Sequence, residues 1–317
     1  MLIGIDLGGT NIGIGMVDDD CNIVYKTSMA TKKEGTYKEI VFDIASLVTQ
    51  TLKATGINKE KIEGVGIGVP GIVDPVTGIV IEVVNLGWKN VDIVKDLSEL
   101  LGLAVFVGND ATVAGVAEHA IGAMKGYNSG VLLTLGTGIG AGIIINNKVF
   151  EGCHGIGSEI GHMIVGENYY NCNCGRNGCL ETFASSTAII NYAKKLINDG
   201  EKTIITSMID DDLNSIDGRL IFEAAKLGDA LALKVIDRMT TYLAIGIINT
   251  TTVIDPEVFV LGGGLSAAGS FLLERVKEKS ERFKYFKGAK WGEIKLSTIG
   301  NDGGIIGAAQ LCRHKAI

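Results

Sequence analysis

The residues with the clearest chemistry are three cysteines and a histidine. Cys172, Cys174 and Cys179 lie close together, with glycines between them, and His162 precedes them. Thiolates and imidazole are the preferred ligands of tetrahedral Zn²⁺, and four of them leave no open position, so we expect a structural zinc ion. His154 is an alternative fourth ligand, but it lies farther from the cysteines along the chain. A disulfide pair with a spare cysteine is the other alternative, and it suits a secreted chain better.

Glycine-rich turns follow three apolar segments, at Asp6-Leu7-Gly8-Gly9-Thr10-Asn11, Leu135-Gly136-Thr137-Gly138 and Gly262-Gly263-Gly264. Backbone N–H groups in such turns can bind phosphate oxygens, and Asp6 can hold Mg²⁺. A single glycine turn is more often just a hairpin, but three of them favour a nucleotide ligand. No Gly-Lys-Ser/Thr follows the turns, so this is not a P-loop, and the third turn matches a Rossmann fingerprint only loosely.

Four polar side chains are candidates for acid–base chemistry or substrate binding. Asn109 and Asp110 fall between a predicted strand and a predicted helix, where either can cap the helix or face a ligand. In the second case Asp110 would act as a general base. Glu159 lies three residues before His162, and Glu181 lies two residues after the last cysteine of the loop. A single carboxylate of this kind is more often a solvated or capping group, but the shared position of these carboxylates around one metal-braced loop favours a site.

Composition limits the class of protein. The chain has 317 residues and 33.4 kDa, with 46% hydrophobic and 21% charged residues, which suits two compact globular domains. The net charge of -7 argues against nucleic acid and anionic membranes as partners. The uncharged run 130–147 is long enough to span a membrane, but its regularly spaced glycines favour a buried hairpin. The N-terminus lacks a signal-peptide pattern, so we expect a cytoplasmic enzyme.

Strand and helix patterns alternate along the chain, which predicts a mixed α/β fold. Strands are expected at 1–7, 12–17, 23–30, 64–69, 104–107, 131–135, 142–145 and 258–261. Helices are expected at 37–54, 91–101, 109–121, 186–198, 218–227, 229–250 and 304–313, and a polar loop after residue 71. The turns after residues 7 and 135 each join two strands, so we predict an internal repeat with two related halves that face one ligand.

These motifs together resemble the ROK family of sugar kinases, within the actin-like ATPase and hexokinase superfamily. The segments that carry the resemblance run from residue 4 to residue 264: 4–10, 66–71, Asn109-Asp110, 135–140, Glu159-Ile160-Gly161-His162, 172–181 and 262–264. Asn85-Leu86-Gly87-Trp88 resembles the glucokinase branch in particular. Ser158 and Asn147 depart from the family pattern, but both are small or turn-tolerant residues.

The resemblance implies a two-domain, ribonuclease H-like α/β fold with a cleft between the domains. The smaller domain would comprise residues 1–113 and the C-terminal helix at 302–317. The larger domain would comprise residues 114–301 and carry the zinc loop.

The resemblance also implies a role for each candidate residue. Asp110 would take the proton from the sugar hydroxyl. The sugar would be bound by Gly71, Asn109, Asp110, Glu159, His162 and Glu181. The nucleotide would be bound by Asp6, Gly8, Gly9, Thr10, Asn11, Thr137, Gly138, Gly263 and Gly264, with Mg²⁺ on its phosphates. The structural Zn²⁺ would be held by His162, Cys172, Cys174 and Cys179.

The expected activity is phosphorylation of glucose by ATP to give glucose 6-phosphate. A family kinase for fructose, mannose, N-acetylglucosamine or N-acetylmannosamine is the alternative within the class, and polyphosphate is an alternative donor. A non-catalytic sugar-sensing regulator is the alternative from another class. A homo-oligomer, either a dimer or a tetramer, is a family expectation.

Overall fold

A computed structural model of the protein describes residues 1–32, 34–300 and 302–315, without the side chain of Lys315. The β-strands are β1 (Leu2–Leu7), β2 (Asn11–Val17), β3 (Ile23–Ala30), β4 (Gly64–Val69), β5 (Ile72–Val73), β6 (Val80–Val83), β7 (Trp88–Val91), β8 (Val105–Asn109), β9 (Gly130–Leu135), β10 (Ile139–Ile145), β11 (Lys148–Val149), β12 (Val258–Gly262) and β13 (Glu293–Leu296). The α-helices are α1 (Tyr37–Thr55), α2 (Ile93–Leu101), α3 (Asp110–Ile121), α4 (Glu181–Ala184), α5 (Ser186–Asn198), α6 (Ile205–Met208), α7 (Gly218–Lys226), α8 (Ala230–Ile254), α9 (Ser270–Phe283) and α10 (Gly303–Lys315).

The first sheet has the strand order β3-β2-β1-β4-β8. Strands β1, β2 and β3 form an antiparallel meander, whereas β4 and β8 run parallel to β1. Strand β1 is buried almost throughout because helices cover both faces of the sheet: Ile3 and Ile5 belong to the core cluster that includes residues of α1, and Leu2 packs with Ile305 of α10. The alternation of side chains along a strand therefore sends successive residues into two different hydrophobic layers.

The second sheet has the order β11-β10-β9-β12-β13. When the five strands of each sheet are numbered 1 to 5 in chain order, both sheets have the spatial order 3-2-1-4-5. Strand β13 is parallel to β12, and β11 is antiparallel to β10, as are the equivalent pairs in the first sheet. The shared order confirms the internal repeat predicted from the two glycine turns.

The prediction of a polar loop after residue 71 is wrong. A small antiparallel sheet occupies this part of the chain, with the order β5-β6-β7. Its strands have only two to four residues, too few for alternating hydrophobicity to stand out from the surrounding polar residues. This sheet displaces the start of the following helix from residue 91 to Ile93, where Asp92 caps it.

The chain forms two compact units. One comprises residues 1–132, 142–158 and 298–317, and the other comprises residues 133–141 and 159–297. The domain limits expected from the sequence stay a prediction, and their endpoints at 301 and 317 lie outside the described residues. Among the described helices, none is long and apolar enough to cross a membrane.

Candidate active site

The four predicted metal ligands come together in the second unit. The ligand atoms of His162, Cys172, Cys174 and Cys179 all lie within 4.8 Å of one another. His154, the alternative ligand, is exposed and does not belong to this group. The chain can fold back in this way because glycines interrupt the loop, and two of them, at 175 and 178, adopt positive φ angles of 86° and 88°.

Two distances within the cluster are those expected around one tetrahedral zinc ion. Cys174 Sγ lies 3.6 Å from Cys179 Sγ, and Cys172 Sγ lies 3.6 Å from His162 Nδ1. Two sulfur ligands of a tetrahedral zinc are about 3.8 Å apart, and a sulfur and a nitrogen are about 3.6 Å apart. The donor set and its spacing therefore suit a structural zinc ion.

Glu181 lies directly beside this cluster. Its Oε1 lies 2.9 Å from Cys172 Sγ and 3.8 Å from His162 Nδ1. The residue opens the short helix α4, whose Thr182 N–H and hydroxyl both donate to the Cys179 carbonyl. The loop that carries the three cysteines, residues 172–179, is called the metal loop. It is therefore joined directly to the helix that begins with Glu181.

His162 presents its two ring nitrogens to different partners. Its Nδ1 faces the cysteines, whereas Nε2 lies 4.0 Å from Glu159 Oε2. Both side chains are about one-third exposed, with relative accessibilities of 33% and 36%. One ring nitrogen can thus bind a metal while the other remains available to a ligand together with Glu159.

The turn between β9 and β10 approaches the same carboxylate. A Cβ atom on Gly138 would lie 2.6 Å from Glu181 Oε2, so only glycine fits there without displacing that side chain. Beside them is a cavity of about 350 Å³, which opens between the turn and the metal loop. It is lined by Thr137, Gly138, Tyr170, Asn171, Cys172, Asn173, Glu181, Thr182, Ser185, Thr187 and Asn191.

The third glycine turn packs against the second within the same unit. Gly263 has a φ of 78°, and a Cβ atom on it would lie 2.6 Å from the backbone nitrogen of Leu135. Among the described residues other than each glycine and its two chain neighbours, no atom lies within 4 Å of the position that a Cβ would take on Gly136 or Gly264. Open space beside two adjoining backbone turns is what a nucleotide phosphate or ribose requires.

In the first unit, the turn after β1 lies beside a partly buried carboxylate. Gly8, Gly9 and Thr10 connect β1 to β2, and the Gly8 N–H donates to the Asn11 carbonyl at 2.9 Å. Asp6 lies at the end of β1, and burial raises the pKa of its carboxyl. A Cβ atom on Gly304, in the first turn of α10, would lie 2.5 Å from Asp6 Oδ2, so this carboxylate faces the start of a helix.

Asn109 and Asp110 lie at the junction of β8 and α3. Asn109 caps the helix, because its Oδ1 accepts from the backbone N–H groups of Ala111 at 2.9 Å and Thr112 at 3.3 Å. Its Nδ2 donates to the Gly71 carbonyl at 3.0 Å, which ties the capping residue to another predicted sugar-binding position. Asp110 is exposed in the first turn of α3. The capping alternative is therefore correct for Asn109, and Asp110 is exposed beside it, with its Oδ1 accepting from the Ala111 N–H at 2.8 Å.

Sequence reasoning missed the polar residues that line the cavity beside Glu181. Asn171 and Asn173 flank Cys172, and Thr187 and Asn191 lie on α5. The two asparagines beside the cysteine were detectable in principle, since they are the chain neighbours of a predicted metal ligand. Thr187 and Asn191 carry no local signal of this kind, because only the packing of α5 brings them to the cavity.

Several known proteins are similar to this chain over almost its whole length. The ROK family profile matches residues 2–315. A glucokinase from Halalkalibacterium halodurans is 35% identical over 315 residues, which cover 99% of this chain and 95% of that protein. An N-acetyl-D-glucosamine kinase from Pasteurella multocida is 32% identical over 330 residues, which cover 99% of this chain and 100% of that protein.

The fold has a close counterpart among solved structures. The crystal structure of a ROK family glucokinase from Streptomyces griseus, in complex with glucose and AMPPNP, matches with a TM-score of 0.80 and 32% identity. The match covers 98% of this chain and 99% of that one, and it confirms the expected actin-like, hexokinase-type α/β fold. With a family match over nearly its whole length, full-length relatives above 30% identity and the same fold, the chain belongs to the ROK family.

Proposed function

We propose that the chain is a sugar kinase that transfers the terminal phosphoryl group of ATP to the 6-hydroxyl group of glucose. The observation that carries this proposal is the position of Glu181. Its two carboxylate oxygens lie between the metal cluster and the Gly138 turn, so a group suited to sugar hydroxyls adjoins a backbone turn suited to phosphate. The activities named for the H. halodurans and S. griseus relatives support the same reaction.

Asp110 is the proposed general base. A carboxylate that is exposed at the start of a helix can accept the proton from a sugar hydroxyl as that oxygen attacks phosphorus. Asn109 and Gly71, joined by their 3.0 Å hydrogen bond, would bind neighbouring hydroxyls. Glu159, together with His162 Nε2 and Glu181, would bind the rest of the sugar, because carboxylates accept hydrogen bonds from hydroxyl donors.

The glycine turns are the proposed nucleotide site. Phosphoryl transfer depends mainly on in-line positioning and on stabilisation of charge, which backbone N–H groups supply without a basic surface. The phosphates are proposed to be bound by Gly8, Gly9, Thr10, Asn11, Thr137 and Gly138, and the adenosine by Gly263 and Gly264. Asp6 would hold the Mg²⁺ that accompanies ATP, directly or through water.

The zinc ion is proposed to be structural. Four protein ligands would fill its coordination shell, so it would brace the loop rather than take part in the reaction. Its effect on function would pass through His162 and Glu181, which the loop holds in place.

Another hexose or amino sugar is the second candidate substrate, and the N-acetyl-D-glucosamine kinase among the relatives favours it. A coupled assay of ADP release over a panel of hexoses and N-acetylated amino sugars tests both candidates. We expect the highest kcat/KM for glucose with ATP as donor. Polyphosphate releases no ADP, so it is compared by measuring the sugar phosphate that is formed. Sugar binding without release of ADP from ATP would refute the kinase proposal and favour the sugar-sensing alternative.

A further inference from the structure

Arg238, on helix α8, lies within a cluster of aromatic rings. Its guanidinium carbon is 4.5 Å from the centroid of the Tyr192 ring and 4.6 Å from that of Phe183. Tyr242 and Tyr169 lie somewhat farther away, at 5.6 Å and 6.0 Å. Phe183 and Tyr242 stack on each other with their centroids 3.8 Å apart. Cation–π contacts on several sides hold the guanidinium in one orientation.

The guanidinium in turn orients a single amide. Arg238 Nη2 donates to Asn168 Oδ1 at 2.7 Å, which directs the Asn168 amide nitrogen toward the Thr182 carbonyl, also at 2.7 Å. Thr182 directly follows Glu181 and is buried. The chain of contacts therefore runs from α8 through one asparagine to the backbone beside the proposed sugar-binding carboxylate.

Asn168 also joins the metal loop. Its backbone N–H donates to Asn177 Oδ1 at 2.8 Å, and Asn177 Nδ2 donates back to the Asn168 carbonyl at 2.9 Å. Asn177 lies between Cys174 and Cys179. Asn168 thus holds both the loop that carries the metal ligands and the helix that carries Glu181.

We propose that Arg238 is a positioning residue for sugar binding, which acts through Asn168 to hold Glu181 in its binding orientation. This inference rests on the proposed function. Arg238 is not proposed to touch the sugar or the nucleotide. Its loss would leave Asn168 Oδ1 with only the Tyr169 N–H, at 3.0 Å, and would weaken the orientation of the amide. The Thr182 carbonyl, which also accepts from the Tyr170 hydroxyl at 2.8 Å, and the neighbouring Glu181 would then be held less firmly.

The test compares Arg238→Met with Arg275→Met. Arg275 makes the same kinds of contact on α9, over the Phe271 ring at 3.5 Å and to the Phe271 carbonyl at 3.0 Å, but away from the metal loop. We expect Arg238→Met to raise the glucose Kd, measured by calorimetry without nucleotide, and the glucose KM by roughly 10-fold, the usual effect of removing a supporting hydrogen bond behind a binding group. The ATP KM and the zinc content should not change. Arg275→Met should leave glucose affinity at its wild-type value.

Two further variants keep the proposal falsifiable. Arg238→Lys retains the charge over the rings but lacks the planar fork, so it should restore part of the sugar affinity and can replace Arg238→Met if that variant does not fold. Combining Arg238→Met with Asn168→Ala should cost little more than either change alone, because both break the same contact chain.

Equal glucose affinity in the Arg238 and Arg275 variants, at a similar loss of thermal stability, would overturn the inference and leave Arg238 a purely structural residue. A wild-type protein that binds glucose but releases no ADP would instead refute the proposed function. The two failures are therefore distinguishable in one set of measurements.

Discussion

Gly138 and Glu181 lie so close together that a Cβ atom on the glycine would be 2.6 Å from Glu181 Oε2. The other oxygen of the same carboxylate lies 2.9 Å from Cys172 Sγ. Glu181 is therefore confined on one side by a predicted metal ligand and on the other by the proposed phosphate turn. In a sugar kinase this contact would couple the orientation of the sugar to the position of the phosphate.

Gly138→Ala should weaken sugar binding. The new methyl group must displace the end of the Glu181 side chain, which is flexible enough to move without unfolding the protein. We expect the glucose Kd to rise about 10-fold or more, the cost of losing a hydrogen bond to a charged group. Calorimetry without nucleotide measures this effect. Gly136→Ala, in the same turn but with no atom within 4 Å of the added carbon, is the matched control. An unchanged glucose Kd in Gly138→Ala would remove Glu181 from the sugar site.

Cys174→Ala should release the zinc ion and, with it, sugar affinity. Three ligands hold zinc much less tightly than four, and the loop also orients His162 and Glu181. We expect less than one zinc per chain by elemental analysis and a glucose KM raised by roughly 10-fold or more, with nucleotide affinity less affected. Cys153→Ala is the control, because Cys153 is an exposed free cysteine outside the cluster. A variant that loses zinc yet keeps normal sugar affinity would break the link between the metal and the sugar site.

Asp6→Asn should stabilise the nucleotide-free protein while impairing its use of ATP. Burial raises the pKa of the Asp6 carboxyl in the folded state, so the ionised form lowers the free energy of unfolding above that pKa. Removing the charge should therefore raise the free energy of unfolding at neutral pH. This gain in stability should shrink as the pH falls toward 3.8, the ordinary pKa of an aspartate carboxyl. Urea unfolding at several pH values measures the gain, and the KM for ATP should rise because a ligand for Mg²⁺ is lost.

Asp18→Asn is the control for that experiment. Hydrogen bonds from Asn22 and Asp20 lower the pKa of Asp18, which makes its ionised form favourable in the folded state. Its replacement should therefore give no gain in stability. If Asp6→Asn likewise gives no gain in the free energy of unfolding, the buried charge of Asp6 does not lower the stability of the folded protein.

The sequence was informative where chemistry and local geometry coincide. The four predicted metal ligands lie in one short stretch, and the glycine turns directly follow apolar strands, so spacing alone indicated both. The N-cap role of Asn109 was also readable, because a polar residue between a strand and a helix has few other local uses. The repeat of two related sheets followed from two similar turns.

Contacts between residues that are distant in the chain could not be predicted from the sequence. Arg238 and Asn168 are 70 positions apart, and nothing near Arg238 indicates that its partner is an amide beside the metal loop. Gly138 looked like a phosphate-binding glycine, but its close approach to Glu181 depends on how helix α4 packs. The small sheet of β5, β6 and β7 was missed because each of its strands is too short to show a hydrophobic period.

This chain is proposed to phosphorylate a sugar, with Asp110 taking the proton from the attacking hydroxyl. Incubation of the protein with glucose and ATP, followed by ³¹P NMR, identifies the product and its rate of formation directly. We predict glucose 6-phosphate from the wild-type protein, and from Asp110→Asn the same product at least ~100-fold more slowly, with glucose and ATP still bound. Asp92→Asn, which changes the N-cap of helix α2, controls for a general effect on helix starts. Absence of a phosphorylated sugar from the wild type, or near-wild-type turnover in Asp110→Asn, would contradict the account.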